Sequence, residues 1–118
     1  MPSTISFNQG DIVLVPFPFT DLSATKQRPA IVLSPKRLNT QRSDLVVAAI
    51  TSQIPDALSD DEVLLSDAEL RTGGLPKRSI VKLGKIFTIH KGLIRKKLGR
   101  IPQSTLDEVM KKLFLSLQ

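Results

Sequence analysis

Residues 10–17 read G-D-I-V-L-V-P-F, residues 27–34 read Q-R-P-A-I-V-L-S, and residues 45–52 read L-V-V-A-A-I-T-S. Each is a short run of β-branched and aliphatic side chains bounded by glycine, proline or polar residues, a pattern that specifies strands. Strands are read over 11–17, 28–34 and 45–52, with a fourth over 62–65. Two more are read over 79–83 and 85–89, separated by Gly84, whose missing side chain suits a bulge or a sharp bend. Residues 93–101 fit either a last strand or a helical turn. So many short strands divided by Gly, Pro and Asp predict a mainly β domain, a small and strongly bent sheet or barrel.

The C-terminus follows another period. Leu106, Val109, Met110, Leu113, Phe114 and Leu117 recur at helical spacing, an apolar stripe expected to pack across the sheet. Ser104 is read as the N-cap with Asp107 three residues on, and acids in the first turn precede Lys111 and Lys112, as the helix dipole favours. A short helical turn is expected over 67–71. The loop over 18–27 is long for a hairpin and is marked as functional on that ground.

A chain of 118 residues fits one domain, read here as 1–118, because two separate cores would each be too small. The absence of cysteine excludes disulfides and thiolate metal sites. No run approaches the ~20 apolar residues of a membrane span. The opening Met-Pro-Ser-Thr-Ile-Ser has neither the basic nor the apolar region of a secretory leader. A cytoplasmic location is the expectation.

Net charge is +6, and it is unevenly placed. No acid occurs between Glu69 and Asp107, an interval that holds ten of the 17 basic residues. A block of one sign either solvates a face or binds a polyanion through counterion release, and nucleic acid or an acidic protein is the favoured partner.

Most catalytic patterns are missing. There is no phosphate-binding glycine loop, and His90 is the only histidine, so neither a histidine-rich metal site nor a two-histidine nuclease can be built. Asp60, Asp61 and Glu62 alternate faces if they lie on a strand and make a poor cation cage. No metal or cofactor is expected. Polar residues remain at the ends of apolar strands: Arg28 directly before Pro29, and Thr51, Ser52 and Gln53 after the third run. Such residues are often no more than solvated strand ends.

Three of these motifs, G-D-I-V-L-V at 10–15, Q-R-P-A-I-V-L-S at 27–34 and A-A-I-T-S-Q-I at 48–54, resemble in order and separation the MazF/PemK-like (Kid-type) toxin family of type II toxin–antitoxin systems. The likeness continues to L-G-R-I-P-Q-S-T-L-D-E-V at 98–109 and spans residues 8–117. It implies an SH3-like barrel of about six or seven strands with accessory helices and a C-terminal α-helix. It also implies a homodimeric endoribonuclease that cuts single-stranded RNA and is restrained by a cognate antitoxin with an acidic flexible segment.

The resemblance assigns the catalytic arginine to Arg28 and the catalytic threonine to Thr51, with Ser52 as an accessory hydroxyl. Further substrate contacts are expected from Gln53, Phe19, Lys26 and Lys82. The chain departs from the family where Gly84 replaces a frequent acid and Phe87 an arginine.

These residue types suit metal-free cleavage, in which a neighbouring 2′-hydroxyl attacks phosphorus and leaves a 2′,3′-cyclic phosphate. A guanidinium stays cationic and offers a planar fork to two phosphoryl oxygens. A threonine hydroxyl is too weak an acid to be a base and is expected to orient the phosphate. His90 carries an imidazole, the side-chain type that most often serves as a base, but lies away from the motifs. The alternatives are a non-enzymatic toxin of the same fold that binds a protein such as gyrase, and a plain RNA-binding module.

Overall fold

The computed structural model describes residues 5–16 and 26–118. Ile12, Val13 and Val15 are buried in β1 (Asp11–Pro16), a strand that starts after Gly10 at φ +94° and ends at Pro16. Only glycine adopts that angle without strain, and the Gly10 N–H reaches the Val32 carbonyl at 2.8 Å. β2 (Gln27–Val32) pairs antiparallel with β1, then β3 (Asp44–Thr51) with β2. β5 (Ile80–His90) follows β3, β4 (Glu62–Leu64) forms one edge, and β6 (Lys96–Arg100) joins β1 at the other. The result is a six-stranded antiparallel sheet in the order β4-β5-β3-β2-β1-β6. The mainly β class and the C-terminal helix are as expected, and the sheet is not closed.

Residues 79–83 and 85–89 belong to one strand, not two. The β3–β5 register jumps from Ala48↔Ile86 to Ala49↔Lys82, so Leu83, Gly84 and Lys85 bulge out of the ladder. The bend expected at Gly84 is present, but hydrogen bonding resumes on both sides of it. The ambiguous stretch splits into a 3₁₀ turn at Lys91–Leu93 and β6.

Apolar side chains divide between the two faces as a period of two requires. One cluster joins Ile12, Ile31, Ile50, Val63 and Val81 to Leu70, Leu106 and Val109 from the helices. The other joins Phe7, Val13, Val15, Ala30, Val32, Leu45, Val47 and Ile89.

Among the described residues, three helices frame the sheet. α1 (Lys36–Gln41) was not read from the sequence, because its six residues carry no apolar stripe. It is fixed by Asn39, whose buried Nδ2 donates to the Phe7 carbonyl at 3.0 Å and the Ser34 carbonyl at 2.8 Å. α2 (Asp67–Gly73) covers the turn expected over 67–71 and carries a complete capping box between Ser66 and Glu69. α3 (Gln103–Ser116) starts one residue before Ser104, with Pro102 as N-cap and no side-chain cap. Its stripe packs for only half its length. Leu106 and Val109 are buried, but Phe114 and Leu117 are 65% and 77% exposed.

The end of α2 lies backbone-to-backbone on β6. A Cβ on Gly74, at φ +71°, would collide with the Leu98 carbonyl, and a Cβ on Gly99 with the Thr72 carbonyl. Replacing either glycine with alanine is expected to cost more than about 1 kcal/mol, read as a lower urea midpoint at unchanged slope.

Glu69 ties α2 to α3. Burial pushes its carboxyl up, but the Ser66 N–H, the Thr105 hydroxyl and the Ser66 hydroxyl outweigh that effect and hold it below the ordinary range. A carboxylate with a depressed folded-state pKa stabilises the protein above its unfolded value, and loses that contribution as pH falls through the folded one. Glu69→Gln is therefore expected to be less stable than wild type at pH 7. The two should converge in acid, as followed by denaturant melts across pH.

Candidate active site

The site begins with the register between β2 and β3. Ala30 stands opposite Ala49, Ile31 opposite Ala48 and Val32 opposite Val47. Continuing two residues toward the strand ends sets Arg28 opposite Thr51. Alternation puts both on the face of Ala30 and Ala49. Pro29 has no N–H to donate, and the ladder to β3 runs no further than Ala30. Arg28 and Thr51 thus stand just beyond the last ladder pair, and both are half-buried. β1 backs them, with Val15 opposite Arg28 and fully buried.

A cleft of about 410 Å³ opens at this point, lined by Lys26, Arg28, Thr51 and Ser52 on one side and by Leu75, Lys77 and Ser79 on the other. No carboxylate and no imidazole lines it among the described residues. The backbone N–H of Gln53 donates to Thr51 Oγ1 at 3.1 Å, which fixes that oxygen and leaves its own proton to donate. Ser79 is buried, and its hydroxyl donates to the Lys77 carbonyl at 2.8 Å, which braces the far wall. Three cations and three alcohols around one acid-free cleft suit a phosphodiester.

Four of the seven residues expected at the site therefore share a cleft: Lys26, Arg28, Thr51 and Ser52. Gln53 and Lys82 line a neighbouring one with Ser59 and Glu62. Lys82 Nζ lies 3.4 Å from Glu62 Oε2, so this cation already has a counter-charge. Glu62 is held below the ordinary carboxylate range first by the Ser59 N–H, which donates to Oε1 at 2.8 Å, and then by Lys82. Phe19, with most of the 18–27 loop, lies outside the described residues.

His90 stands at the opposite end of β5 from Ile80, the residue paired with Thr51. Its Nδ1 accepts the Gly92 N–H at 2.9 Å and caps the 3₁₀ turn, so it is no base for this cleft. Among the described residues, no three His, Asp or Glu side chains come together in a way that could hold a metal ion. Lys77 was counted only as part of the basic block. The signal available for it was the acid-free run that follows Glu69.

The sequence profile of the family described as "PemK-like, MazF-like toxin of type II toxin-antitoxin system" matches residues 8–117. This chain belongs to that family. Arg28, Thr51 and the cleft between them all fall within the matched segment. Among curated relatives in the family, "Endoribonuclease MazF2" of Mycobacterium bovis is 33% identical over 85 residues, covering 71% of this chain and 72% of the relative. "Endoribonuclease MazF6" of Mycobacterium tuberculosis matches with the same figures.

Solved MazF-like structures share the fold. A mycobacterial endoribonuclease in complex with its cognate antitoxin superposes with a TM-score of 0.76 at 16% identity, covering 95% of each chain. A MazE–MazF complex from Deinococcus radiodurans gives 0.76 at 24% identity, covering 96% of this chain and 97% of the other.

Proposed function

We propose that this PemK/MazF-like chain is a metal-independent endoribonuclease that cuts single-stranded RNA in the cytoplasm, with Arg28 and Thr51 as its catalytic pair. The observation that carries the reading is the meeting of Arg28 and Thr51 at one acid-free cleft, within a chain whose curated relatives are named endoribonucleases.

In this reading a scissile phosphate enters between the ends of β2 and β3. The 2′-hydroxyl gives up its proton to water and its oxygen bonds to the neighbouring phosphorus as the bond from phosphorus to the 5′-oxygen breaks. The 5′-oxygen leaves as an alcohol after taking a proton from water. The products carry a 2′,3′-cyclic phosphate and a 5′-hydroxyl. Arg28 faces the two non-bridging oxygens, where negative charge builds in the pentavalent state. Thr51 donates its O–H to one of them while the Gln53 N–H holds its oxygen in place. Lys26, Ser52 and Lys77 receive the flanking phosphate and sugar. A preorganised donor of this kind supplies roughly 3–4 kcal/mol of transition-state stabilisation.

Purified protein is expected to cleave single-stranded RNA in EDTA and leave cyclic-phosphate ends. Arg28→Ala should lower kcat about 10²–10³-fold with an unchanged melting temperature. Retained RNA binding with no cleavage in wild type would instead favour a binding module. Neither binding nor cleavage would favour a toxin that acts on a protein.

The chain is further proposed to form a homodimer and to be restrained by an antitoxin whose acidic segment occupies the same cationic cleft. Titrations of the two partners should then show affinity falling as salt rises, and a salt-independent affinity would contradict this mode of docking.

A further inference from the structure

A second cleft, also about 410 Å³, lies on the β6 side of β1. Ile5 and Ile94 contribute an apolar wall, and Lys91, Arg95, Lys96 and Lys97 contribute the charge of the rim, again with no carboxylate lining it among the described residues. Two of these cations are committed to the protein. Lys91 Nζ donates to the Asn39 carbonyl at 2.7 Å, and Lys97 Nζ lies 3.2 Å from the buried Asp11. Arg95 and Lys96 are exposed and have no ion pair among the described residues.

The register connects this cleft to the first. Lys96 pairs with Leu14, and the Arg95 N–H donates to the Leu14 carbonyl at 2.8 Å. One step further along the ladder, Arg95 falls beside Val15, and Val15 is the partner of Arg28. Arg95, Val15, Arg28 and Thr51 therefore make one row across four strands. Two strand spacings, about 10 Å, separate the backbones of Arg95 and Arg28.

We propose that the Arg95–Lys96 cleft is a second subsite for the RNA strand, holding a phosphate on its cationic rim and a base against Ile5 and Ile94 while the scissile phosphate sits at Arg28. The inference rests on the RNA reading above and extends it to a site remote from the cut. A cationic groove tracks the backbone of a single strand, and the aliphatic side chains beside it give a base an apolar surface to cover. Lys91 and Lys97 act as positioning residues, since their bonds to Asn39 and Asp11 hold the rim in shape.

The test measures binding of a single-stranded RNA long enough to span both clefts, using full-length protein carrying R28A so that the strand is not consumed. Adding R95Q and K96Q is expected to weaken binding on the order of tenfold at low salt. It should also make the log–log salt slope shallower by about 0.7, the value for one lost phosphate contact on a single strand. The exposed Lys111 on α3, changed to Gln, serves as the control for general charge loss and should move the slope less.

An affinity and slope matching those of R28A alone would overturn the subsite. If wild type still cuts the RNA in that case, the proposed function stands without it. If wild type neither binds nor cuts RNA, both fall. Loss of binding to an acidic peptide in the triple variant, with RNA binding unchanged, would overturn the subsite in favour of a protein-docking cleft.

Discussion

Everything at the candidate site depends on how β2 and β3 are aligned. Three pairs, Ala30↔Ala49, Ile31↔Ala48 and Val32↔Val47, fix the alignment, and all six side chains are buried. A slip of β2 by one residue would send Ala30 and Val32 to the opposite cluster and turn Arg28 away from Thr51, at the cost of both cores. The hydrophobic effect thus sets the position of two polar residues that contribute little to it. Pro29 adds a second constraint, since the ladder to β3 goes no further than Ala30 and the polar pair lies beyond it.

The same alternation explains why the cations gather where they do. The strand interiors are largely committed to two apolar clusters, so most charge on the sheet falls at strand ends, edges and the loops between them, with Lys82 and Lys85 beside the β5 bulge as exceptions. Arg28 at the start of β2, Lys77 before β5 and Arg95 before β6 all occupy such positions. Three of the acids, Asp11, Glu62 and Glu69, are drawn into structural duties instead. Asp11 accepts the Asn8 N–H at 2.8 Å and pairs with Lys97, Glu62 pairs with Lys82, and Glu69 joins α2 to α3. The basic excess seen in the sequence is thereby left largely at the surface.

Most of the sheet was legible in the sequence because short unbroken runs of aliphatic and β-branched residues between Gly, Pro and polar residues are a strong strand signal, as in β1 and β3. β5 was misread as two strands because Gly84 looks locally like a break. Only the pairing of β3 on both sides of the bulge reveals one strand. α1 escaped because its stability comes from the side-chain bonds of Asn39 rather than from an apolar stripe. Ser104 looked like a cap, yet Pro102 fixes the helix entry earlier. At the site, residue type and motif order pointed to Arg28 and Thr51, but no local pattern could separate Lys77 from the other basic residues or reveal that Lys82 is held by Glu62. Those facts depend on which loops meet across the strand ends.

The open sheet leaves two edges that other chains could extend into a polymer. β4 answers this by brevity, since three residues offer too few backbone groups for a stable added strand. β6 answers it by charge: Lys96, Lys97 and Arg100 make up three of its five residues, so a second copy approaching this edge would meet its own cations. The fold can therefore remain unclosed without templating aggregation, and because Asp11 is the one acid that Lys97 and Arg100 share, the outermost strand still carries a net positive charge.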